Sequence, residues 1–492
     1  MRLSKLIEAI DGEWIGADEG ELEIFSLTTD SRKRVKNSLF ICLQGGSFDG
    51  HDFAREAVKN GSIAIIAEHK VDVKAPQFIV ADTREALAKL AAAYYGNPAN
   101  RLKIIGITGT NGKTTTARML AEIFKQAGKK VGIIGTLGIE YGRKRKAASL
   151  TTPDPIELQE TLSDMYVSGM EYVVMEVSAH ALFYKKTEGI SFFACVFTNL
   201  TQDHLDFFKN MEAYKQAKLS LFSGERCPLA IVNGDDETGR DIAALREKKG
   251  AKTLFYGMHN PAESFAVLTG ESLRGSECML NLSDNLCRVS LSLTGLHNVY
   301  NALAAATCAM EAGIEQSAIG AGLTSLKSVR GRLERVGSVR GAEIYVDFAH
   351  TPDGLAKSLS ALKKHCVGRL ICLFGCGGNR DKSKRPLMGE TVAKLSDFAV
   401  LTSDNPRYED PLDIISDIEK GYRRFSARYV VVPDRKKAID YALDFIRKGD
   451  VFLVAGKGGE EYQEIMGIKY PFDDHTVIEE LLAEKEKNPF NG

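Results

Sequence analysis

The sequence of 492 residues has one tryptophan, only nine cysteines and no Cys-x-x-Cys pair. Scattered cysteines of this kind are typical of a reduced, intracellular protein. No stretch approaches the roughly 20 consecutive apolar residues that a membrane-spanning helix needs, so we expect no membrane span. Glu8 and Asp11 interrupt any apolar run at the start of the chain. We therefore expect no signal peptide and a cytoplasmic location.

The chain also lacks an excess of either charge. Its 64 basic and 65 acidic residues give a formal net charge of -1. A protein that coats nucleic acid or another polyanion is usually basic, so we expect no nucleic-acid partner. Local basic pockets for small phosphorylated molecules remain compatible with this balance.

Internal repeats and low-complexity tracts are absent, and the length predicts about three domains of ~100–200 residues each. We place them at 1–100, 101–330 and 331–492. Short apolar runs predict strands, and amphipathic stretches between them predict helices. The predicted strands are 38–43, 63–67, 77–80, 102–108, 131–134, 171–176, 192–198, 342–347, 370–374, 398–402, 429–432 and 451–455. The main predicted helices are 52–59, 83–95, 113–127, 155–168, 214–222 and 295–312. A polar, strand-like stretch lies near 262–293.

This alternation predicts an α/β protein of three domains. We expect a central, doubly wound domain that carries a phosphate-binding loop (a P-loop). The C-terminal domain is predicted to have a Rossmann-like parallel sheet.

The strongest motif is Gly-Thr-Asn-Gly-Lys-Thr-Thr at 109–115, between a predicted strand and a predicted helix. Glycines allow a tight turn whose backbone N–H groups face phosphate oxygens, and the helix N-terminus adds partial positive charge. Lys113 can reach the terminal phosphates, and the Thr114 hydroxyl can bind Mg²⁺. The upstream glycine is Gly106, so the loop is shorter than the usual GxxxxGK[ST] spacing. The alternative is a glycine-rich turn that binds no ligand.

Two further side chains follow neighbouring predicted strands. Glu176 ends the strand at 171–176, where a carboxylate beside a phosphate loop is well placed for Mg²⁺. His204 follows the next strand and can reach the same crevice. Taken alone, Glu176 could be a solvated carboxylate, His204 a structural histidine, and Lys218 an exposed helical lysine.

The phosphate loop, the stretch Glu-Val-Ser-Ala-His at 176–180 and Asp-His-Leu-Asp at 203–206 together resemble the Mur ligase family. That family shares its loop with folylpolyglutamate synthetases. The resemblance implies that Thr114, Glu176 and His204 hold Mg²⁺ near the γ-phosphate of ATP and that Lys218 is carbamylated. It also implies a catalytic set of Lys113, Lys218, His204 and Arg332. The implied ATP-binding residues are Gly109, Thr110, Asn111, Gly112, Lys113, Thr114, Thr115, Asn298 and Asp347.

The N-terminal segments 30–32 and 45–51 resemble the UDP-binding domain of the family branch that extends a muramoyl dipeptide. The Thr-Thr-Pro loop at 151–153 resembles the loop that holds the dipeptide. Two positions near this loop depart from the family pattern: Lys186 replaces a common arginine, and Tyr184 replaces a frequent glutamine. Four positions elsewhere also depart from it: Phe208, Arg330, Asn379 and Gly459. Lys186 keeps the charge but loses the bidentate fork. The implied residues for this substrate are Ser31, Thr151, Thr152, Ser178, Tyr184 and Lys186.

The motif Ser-Asp-Asn-Pro-Arg at 403–407 follows a predicted C-terminal strand. Asp404 can accept hydrogen bonds from an amino group, and Arg407 can bind a carboxylate through two parallel hydrogen bonds. Pro406 stiffens the loop between them. A diamino acid with a carboxylate at its far end, meso-diaminopimelate, fits such an arginine, whereas lysine has no carboxylate there. By resemblance, the residues that bind this amino acid are Arg380, Asp404, Asn405, Pro406, Arg407, Gly456 and Glu460.

The resemblance implies an ATP-dependent amide ligase that adds meso-diaminopimelate to UDP-N-acetylmuramoyl-L-alanyl-D-glutamate through an acyl phosphate. This is a step of peptidoglycan synthesis, which supports the cell wall, cell shape and cell division. The first domain would bind the UDP-substrate, the second ATP, and the third the incoming amino acid. We expect a monomer with small-molecule partners. The alternatives are a lysine-adding ligase, a folylpolyglutamate-type ligase and a nucleotide-controlled switch, although the guanine-specific NKxD motif is absent.

Overall fold

The structure is a computed structural model that describes residues 1–15, 21–46 and 48–487. Ser47, which belongs to the segment 45–51, lies outside the described residues. The chain divides into two compact units. The first contains residues 1–108, 129–195 and 217–229, and the second contains residues 109–128, 196–216 and those from 230 onward.

The observed helices include those predicted from amphipathic stretches and several others that were not predicted. They are α1 (Leu3–Ile7), α2 (Ala54–Lys59), α3 (Thr83–Tyr94), α4 (Lys113–Gln126), α5 (Pro155–Val167), α6 (Ala179–Phe183), α7 (Leu205–Phe208), α8 (Met211–Ser223), α9 (Glu237–Glu247), α10 (Leu296–Glu311), α11 (Gln316–Ser325), α12 (Pro352–Lys363), α13 (Lys384–Leu395), α14 (Pro411–Tyr422), α15 (Arg435–Phe445) and α16 (Asp474–Lys487).

The strands are short, as is usual for α/β proteins. They are β1 (Glu13–Ile15), β2 (Ser26–Thr28), β3 (Ser38–Ile41), β4 (Ser62–Ala67), β5 (Gln77–Ile79), β6 (Lys103–Thr108), β7 (Val131–Gly135), β8 (Gly138–Tyr141), β9 (Lys144–Lys146), β10 (Tyr172–Glu176), β11 (Ala194–Phe197), β12 (Leu229–Asn233), β13 (Lys252–Gly257), β14 (Ser264–Ser272), β15 (Gly275–Leu282), β16 (Asn285–Leu291), β17 (Glu334–Val339), β18 (Ala342–Asp347), β19 (Leu370–Phe374), β20 (Phe398–Leu401), β21 (Tyr429–Val431), β22 (Val451–Ala455), β23 (Tyr462–Ile465) and β24 (Ile468–Pro471).

In the first unit, the N-terminal sheet has the order β1-β5-β4-β3-β2, and all neighbours are parallel except β1 and β5. A second group of strands is centred on β10, which pairs in parallel with β6 and with β7. All five residues of β10 are buried. This explains its continuous apolar sequence, because a parallel strand is covered on both faces.

In the second unit, β14, β15 and β16 form an antiparallel meander. Burial alternates strictly along β15, which is the pattern of a sheet with one covered face. The C-terminal sheet has the order β17-β18-β22-β19-β20-β21, and only β17 is antiparallel to its neighbour. Two apolar cores cover its two faces. The parallel strands therefore end at one edge, where loops can build a site.

The predicted fold class is confirmed: the chain is an α/β protein with three sheet-bearing regions. The strand predicted at 38–43 ends at Ile41 in the structure, and the polar stretch near 262–293 contains β14 to β16. The domain boundaries at 100/101 and 330/331 stay predictions. Within the described ranges, no helix has both the length and the apolar character that a membrane crossing requires.

Candidate active site

The phosphate loop adopts a conformation that only glycine accommodates easily. Gly109 has φ = +147° and Gly112 has φ = +88°, and α4 begins directly after the loop at Lys113. A Cβ atom on Gly112 would lie 2.3 Å from Oδ1 of Asn301. The glycines thus serve both the turn and a close approach. The loop ends at a helix N-terminus, which favours anions.

The segment 198–201 fastens this loop in place. The amide of Thr110 donates to the carbonyl of Asn199 at 2.8 Å, and the amide of Asn111 donates to Oδ1 of Asn199 at 3.1 Å. In return, the Thr198 hydroxyl donates to the carbonyl of Asn111 at 2.6 Å. The backbone of the loop is therefore preorganised by protein contacts.

Two predicted catalytic cations lie beside the loop. Nζ of Lys113 donates to the carbonyls of Gly109 and Thr110, both at 2.9 Å. Nη2 of Arg332 donates to Oγ1 of Thr114 at 3.1 Å, and the guanidinium lies 4.4 Å from the centre of the Phe348 ring. Such an arrangement can stabilise negative charge that develops on a phosphoryl group.

Asn298 is buried in α10 and acts on the loop through a neighbour. Its Oδ1 accepts a hydrogen bond from Asn301 at 3.1 Å, and Oδ1 of Asn301 accepts one from the Thr116 hydroxyl at 3.3 Å. Asn301 belongs to the same segment as Asn298, 297–301, which resembles a family signature at the ATP site, and it lies one helical turn after Asn298. The role of Asn298 as a nucleotide contact stays a prediction.

Asp347 supports the segment that carries Arg332. Its Oδ1 accepts hydrogen bonds from the amides of Leu333 at 3.0 Å and Phe348 at 2.9 Å. Oδ2 accepts the hydroxyl of Ser358. The structure thus shows Asp347 bound to the backbone next to Arg332, and direct contact with nucleotide stays a prediction.

His204 lies in a cluster beside the loop. Its ring centre is 6.1 Å from that of Tyr214, whose hydroxyl is 3.2 Å from Oγ1 of Thr110. Nε2 of His204 is 3.3 Å from Oδ2 of the buried Asp203. Burial acts to raise the pKa of Asp203, but the charges of His350 and His204 outweigh it and lower that pKa to about 2. The carboxylate therefore stays ionised at neutral pH.

Glu176 in the first unit is buried and oriented by one residue. Oε1 accepts a hydrogen bond from the amide of Thr136 at 2.9 Å, and Oε2 accepts the hydroxyl of Thr136 at 3.1 Å. The Thr136 hydroxyl also lies 3.1 Å from that of Thr151. Sequence reasoning missed Thr136, because nothing in a strand-to-strand turn marks it as a carboxylate partner.

Three residues predicted to bind the dipeptide gather around the end of β10. The Thr152 hydroxyl donates to the carbonyl of Glu176 at 2.9 Å and accepts the amide of Ser178 at 3.1 Å. Ser178 in turn caps α6, because its hydroxyl accepts the amide of Ala181 at 3.1 Å. The structure therefore brings Thr151, Thr152 and Ser178 together.

The other three residues predicted to bind the UDP-linked dipeptide each contact a different part of the protein. Nζ of Lys186 is 2.7 Å from Oδ1 of Asp154, at the start of α5. The Tyr184 ring packs under the guanidinium of Arg84 at 4.5 Å. The Ser31 hydroxyl donates to Glu56 at 2.6 Å. Their roles in binding substrate stay predictions.

Lys218 on α8 is almost completely buried, with 1% of its surface exposed. A lysine in that environment is not the solvated side chain that its helical position suggests in isolation. Burial of a lysine side chain is uncommon in proteins, so Lys218 differs from the solvated lysines of the surface.

The loops after β20 and β22 converge at the C-terminal edge of the third sheet. Nδ2 of Asn405 donates to Oε2 of Glu460 at 2.9 Å. Nζ of the fully buried Lys457 lies 3.2 Å from Oδ1 of Asn405 and 3.0 Å from Oε2 of Glu460. Gly456 has φ = +113°, and a Cβ atom there would be 2.7 Å from Oδ2 of Asp404. The sequence analysis predicted Gly456 and Glu460 as site residues but missed Lys457, which lies between them.

Arg407 is held at the rim of this pocket by two partners. Nε donates to Oε2 of Glu464 on β23 at 3.1 Å, and Nη1 donates to the carbonyl of Gly378 at 2.8 Å. The amide of Gly378 donates to the carbonyl of Asn405 at 2.9 Å, which joins the two loops. Arg380 lies two residues further on and is half exposed, with Nη1 at 3.9 Å from Oδ2 of Asp206.

The pocket contains both signs of charge. Burial acts to raise the pKa of Asp404, but the positive charges of Lys457 and Arg435 lower it overall. Asp404 is thus an anion beside the cations Lys457 and Arg435.

Comparisons with known proteins agree with this geometry. The model of the Mur ligase middle domain matches residues 107–309, the Mur ligase glutamate ligase domain matches 331–458, and the Mur ligase family catalytic domain matches 23–95. The chain is 41% identical to the UDP-N-acetylmuramoyl-L-alanyl-D-glutamate--2,6-diaminopimelate ligase of Bacillus velezensis, across 99% of this chain and 100% of the relative. The chain belongs to the Mur ligase family.

A second relative with the same name, from Syntrophomonas wolfei, is 42% identical across 98% of this Mur ligase and 100% of its own length. A solved structure of a UDP-N-acetylmuramoyl-L-alanyl-D-glutamate--2,6-diaminopimelate ligase is 30% identical, with a TM-score of 0.71. It covers 99% of this chain and 100% of its own. The resemblance found in the sequence is confirmed over the full length.

Proposed function

We propose that this chain is an ATP-dependent ligase that joins meso-diaminopimelate to UDP-N-acetylmuramoyl-L-alanyl-D-glutamate in the cytoplasm. The observation that carries the proposal is the convergence of two C-terminal loops, in which Asn405 binds Glu460 and Gly378, in a chain that also holds the phosphate loop. The full-length relatives act, by their names, on the same pair of substrates. We propose that the enzyme acts as a monomer on small molecules.

In the first half of the reaction, ATP phosphorylates the γ-carboxylate of D-glutamate. Lys113 and Arg332, both beside the loop, offset the charge on the transferring phosphoryl group. The amides of the loop and the N-terminus of α4 hold the phosphates. The dipeptide would be held near the end of β10 by Thr151, Thr152 and Ser178.

The donor set proposed for Mg²⁺ is Thr114, Glu176 and His204. Glu176 fits a hard cation, because its carboxylate is buried and both of its oxygens are oriented by Thr136. In the described ranges no three His, Cys, Asp or Glu side chains form a metal cluster. A set of one carboxylate, one hydroxyl and one imidazole leaves the other coordination positions for phosphate oxygens and water, as Mg²⁺ sites that bind substrate phosphates require. When bound, Mg²⁺ supplies charge neutralisation for phosphoryl transfer.

We propose that Lys218 carries a carbamate. Its burial separates it from bulk water. Loss of one proton from the ammonium group gives the neutral amine, and addition of CO₂ with loss of a second proton would give the carbamate anion. That anion could ligand a metal or orient the acyl acceptor. Mass measurement of the intact protein, with and without bicarbonate, would test this assignment.

In the second half, one amine of diaminopimelate attacks the acyl phosphate carbon, a proton is lost from the amine, and phosphate leaves. Asp404 and Glu460 accept hydrogen bonds from the distal ammonium group, and Arg407 with Asn405 binds the distal carboxylate. This orientation leaves the other amine to react. Lysine would keep the ammonium contacts but provide no carboxylate for Arg407.

Product analysis tests the proposal directly. The protein is incubated with ATP, UDP-N-acetylmuramoyl-L-alanyl-D-glutamate and meso-diaminopimelate, and the mixture is analysed by mass spectrometry. We expect a tripeptide product that requires all three substrates. Absence of that product with a folded protein would refute the assignment, and its formation from lysine instead would refute the interpretation of Arg407.

A further inference from the structure

A fully buried ion pair lies under the C-terminal pocket. Arg435 is the first residue of α15 and Asp474 is the first residue of α16. Nε and Nη2 of the arginine donate to the two carboxylate oxygens of Asp474, both at 2.7 Å. Neither side chain has any exposed surface. None of the roles assigned above uses this pair.

The same guanidinium also binds two strand ends. Nη2 donates to the carbonyl of Ala455, the last residue of β22, at 2.9 Å. Nη1 donates to the carbonyl of Ser403, just after β20, at 3.3 Å. Because β19 lies between β22 and β20 in the sheet, Arg435 bridges two strands that are not neighbours.

The two bridged carbonyls directly precede two residues that are proposed to bind the amino acid. Asp404 follows Ser403, and Gly456 follows Ala455. These loops are already close, because a Cβ atom on Gly456 would lie 2.7 Å from Oδ2 of Asp404. A small change in the separation of the strand ends would therefore alter the pocket.

We propose that the Arg435–Asp474 pair is a positioning device that fixes the distance between the two loops that bind the incoming amino acid. This inference rests on the function proposed above and adds two positioning residues to it. Asp474 holds the guanidinium in one plane, and the guanidinium holds the two loops.

The chemistry of the pair favours this role over a purely stabilising one. A buried ion pair gains little stability compared with apolar residues of similar size, because both charges lose their hydration. Its specific property is geometry: the planar guanidinium forms four directed bonds here, whereas a lysine would present a single ammonium. Contacts that support a site at a distance can change rates strongly by shifts of about 1 Å.

Arg435→Lys and Asp474→Asn test the proposal, with Arg246→Lys as the matched control. Arg246 is also a buried arginine, and it binds the Thr253 hydroxyl at 3.0 Å and the carbonyl of Lys252 at 2.8 Å. Phosphate release is measured while ATP or diaminopimelate is varied, and thermal unfolding confirms that each variant is folded. We expect each test variant to raise the KM for diaminopimelate by about tenfold or more. The KM for ATP should change less than about twofold, and the control should change neither KM.

A double variant tests the positioning role if the single variants do not fold. The double change Arg435→Met with Asp474→Leu replaces the pair by apolar groups, which often preserves folding, and should raise the KM for diaminopimelate equally. Unchanged KM values, or equal rises for ATP and diaminopimelate, would overturn the positioning role. Wild-type protein without diaminopimelate-dependent release would instead refute the proposed function, and the role of the pair with it.

Discussion

Replacement of Arg407 by lysine keeps the charge at the rim of the amino-acid pocket but removes the planar fork. In the structure, Glu464 and the carbonyl of Gly378 hold Nε and Nη1 of Arg407 at 3.1 and 2.8 Å. These contacts fix the plane of the guanidinium. A lysine ammonium could not keep both contacts and also meet a substrate carboxylate.

The size of the effect follows from the bonds that are lost. A hydrogen bond to a charged group contributes about 1.5–3 kcal/mol, and each 1.4 kcal/mol corresponds to about a tenfold change in affinity. Arg407→Lys should therefore raise the KM for diaminopimelate by about 10- to 150-fold. The KM for ATP should stay nearly constant, because the phosphate loop is built from other residues.

Phosphate release at varied diaminopimelate is the assay, and Arg423→Lys is the control. Arg423 lies in an exposed ion pair with Glu419 at 2.6 Å, and exposed pairs contribute little. Equal loss of ATP and diaminopimelate affinity in Arg407→Lys would refute the reasoning. An unchanged KM for diaminopimelate would do so as well.

Three further predictions concern the phosphate loop, the buried carboxylate and acid stability. Gly112→Ala should weaken ATP binding at least tenfold in a calorimetric titration, because the new Cβ would lie 2.3 Å from Asn301 in a backbone with φ = +88°; normal affinity would contradict this. Thr136→Val removes the hydroxyl that binds Glu176 at 3.1 Å, so kcat should fall about tenfold. Circular dichroism should show that the variant keeps its fold. A wild-type kcat would refute the orienting role of Thr136. Burial acts to raise the pKa of Asp235, but backbone and tyrosine hydrogen bonds lower it to about 2, below the usual 3.8. Its stabilising contribution is therefore complete above about pH 4 and lost as the pH falls towards 2. In urea unfolding, Asp235→Asn should have a lower free energy of unfolding than the wild type above about pH 4, and this difference should disappear towards about pH 2. A difference that stays constant over this range would contradict the assignment.

Most of the fold could be predicted from the sequence because buried parallel strands have a distinct pattern. The strand Leu370–Phe374 is buried at every position and was predicted with its observed bounds. The edge strand β9 escaped prediction, since Lys144–Lys146 is fully exposed and basic. Burial, which makes a strand recognisable in a sequence, is missing there.

Site residues could be predicted where the interacting residues are close together in the sequence. They could not be predicted where the partner is distant in the sequence. The motif around Lys113 contains its own glycines, cation and helix start, so its arrangement follows from adjacent residues. Thr136 and Glu464 were missed, because each acts through a partner 40 or more residues away, Glu176 and Arg407 respectively. Such contacts exist only once the chain has folded.

The most direct test of the account compares phosphate release with meso-diaminopimelate and with L-lysine, in the presence of ATP and UDP-N-acetylmuramoyl-L-alanyl-D-glutamate. We predict release that depends on the dipeptide substrate, with a kcat/KM for diaminopimelate at least about tenfold above that for lysine, since one charged contact separates the two amino acids. Equal use of both, or a preference for lysine, would contradict the assigned specificity. Release that ignores both amino acids would contradict the ligase itself.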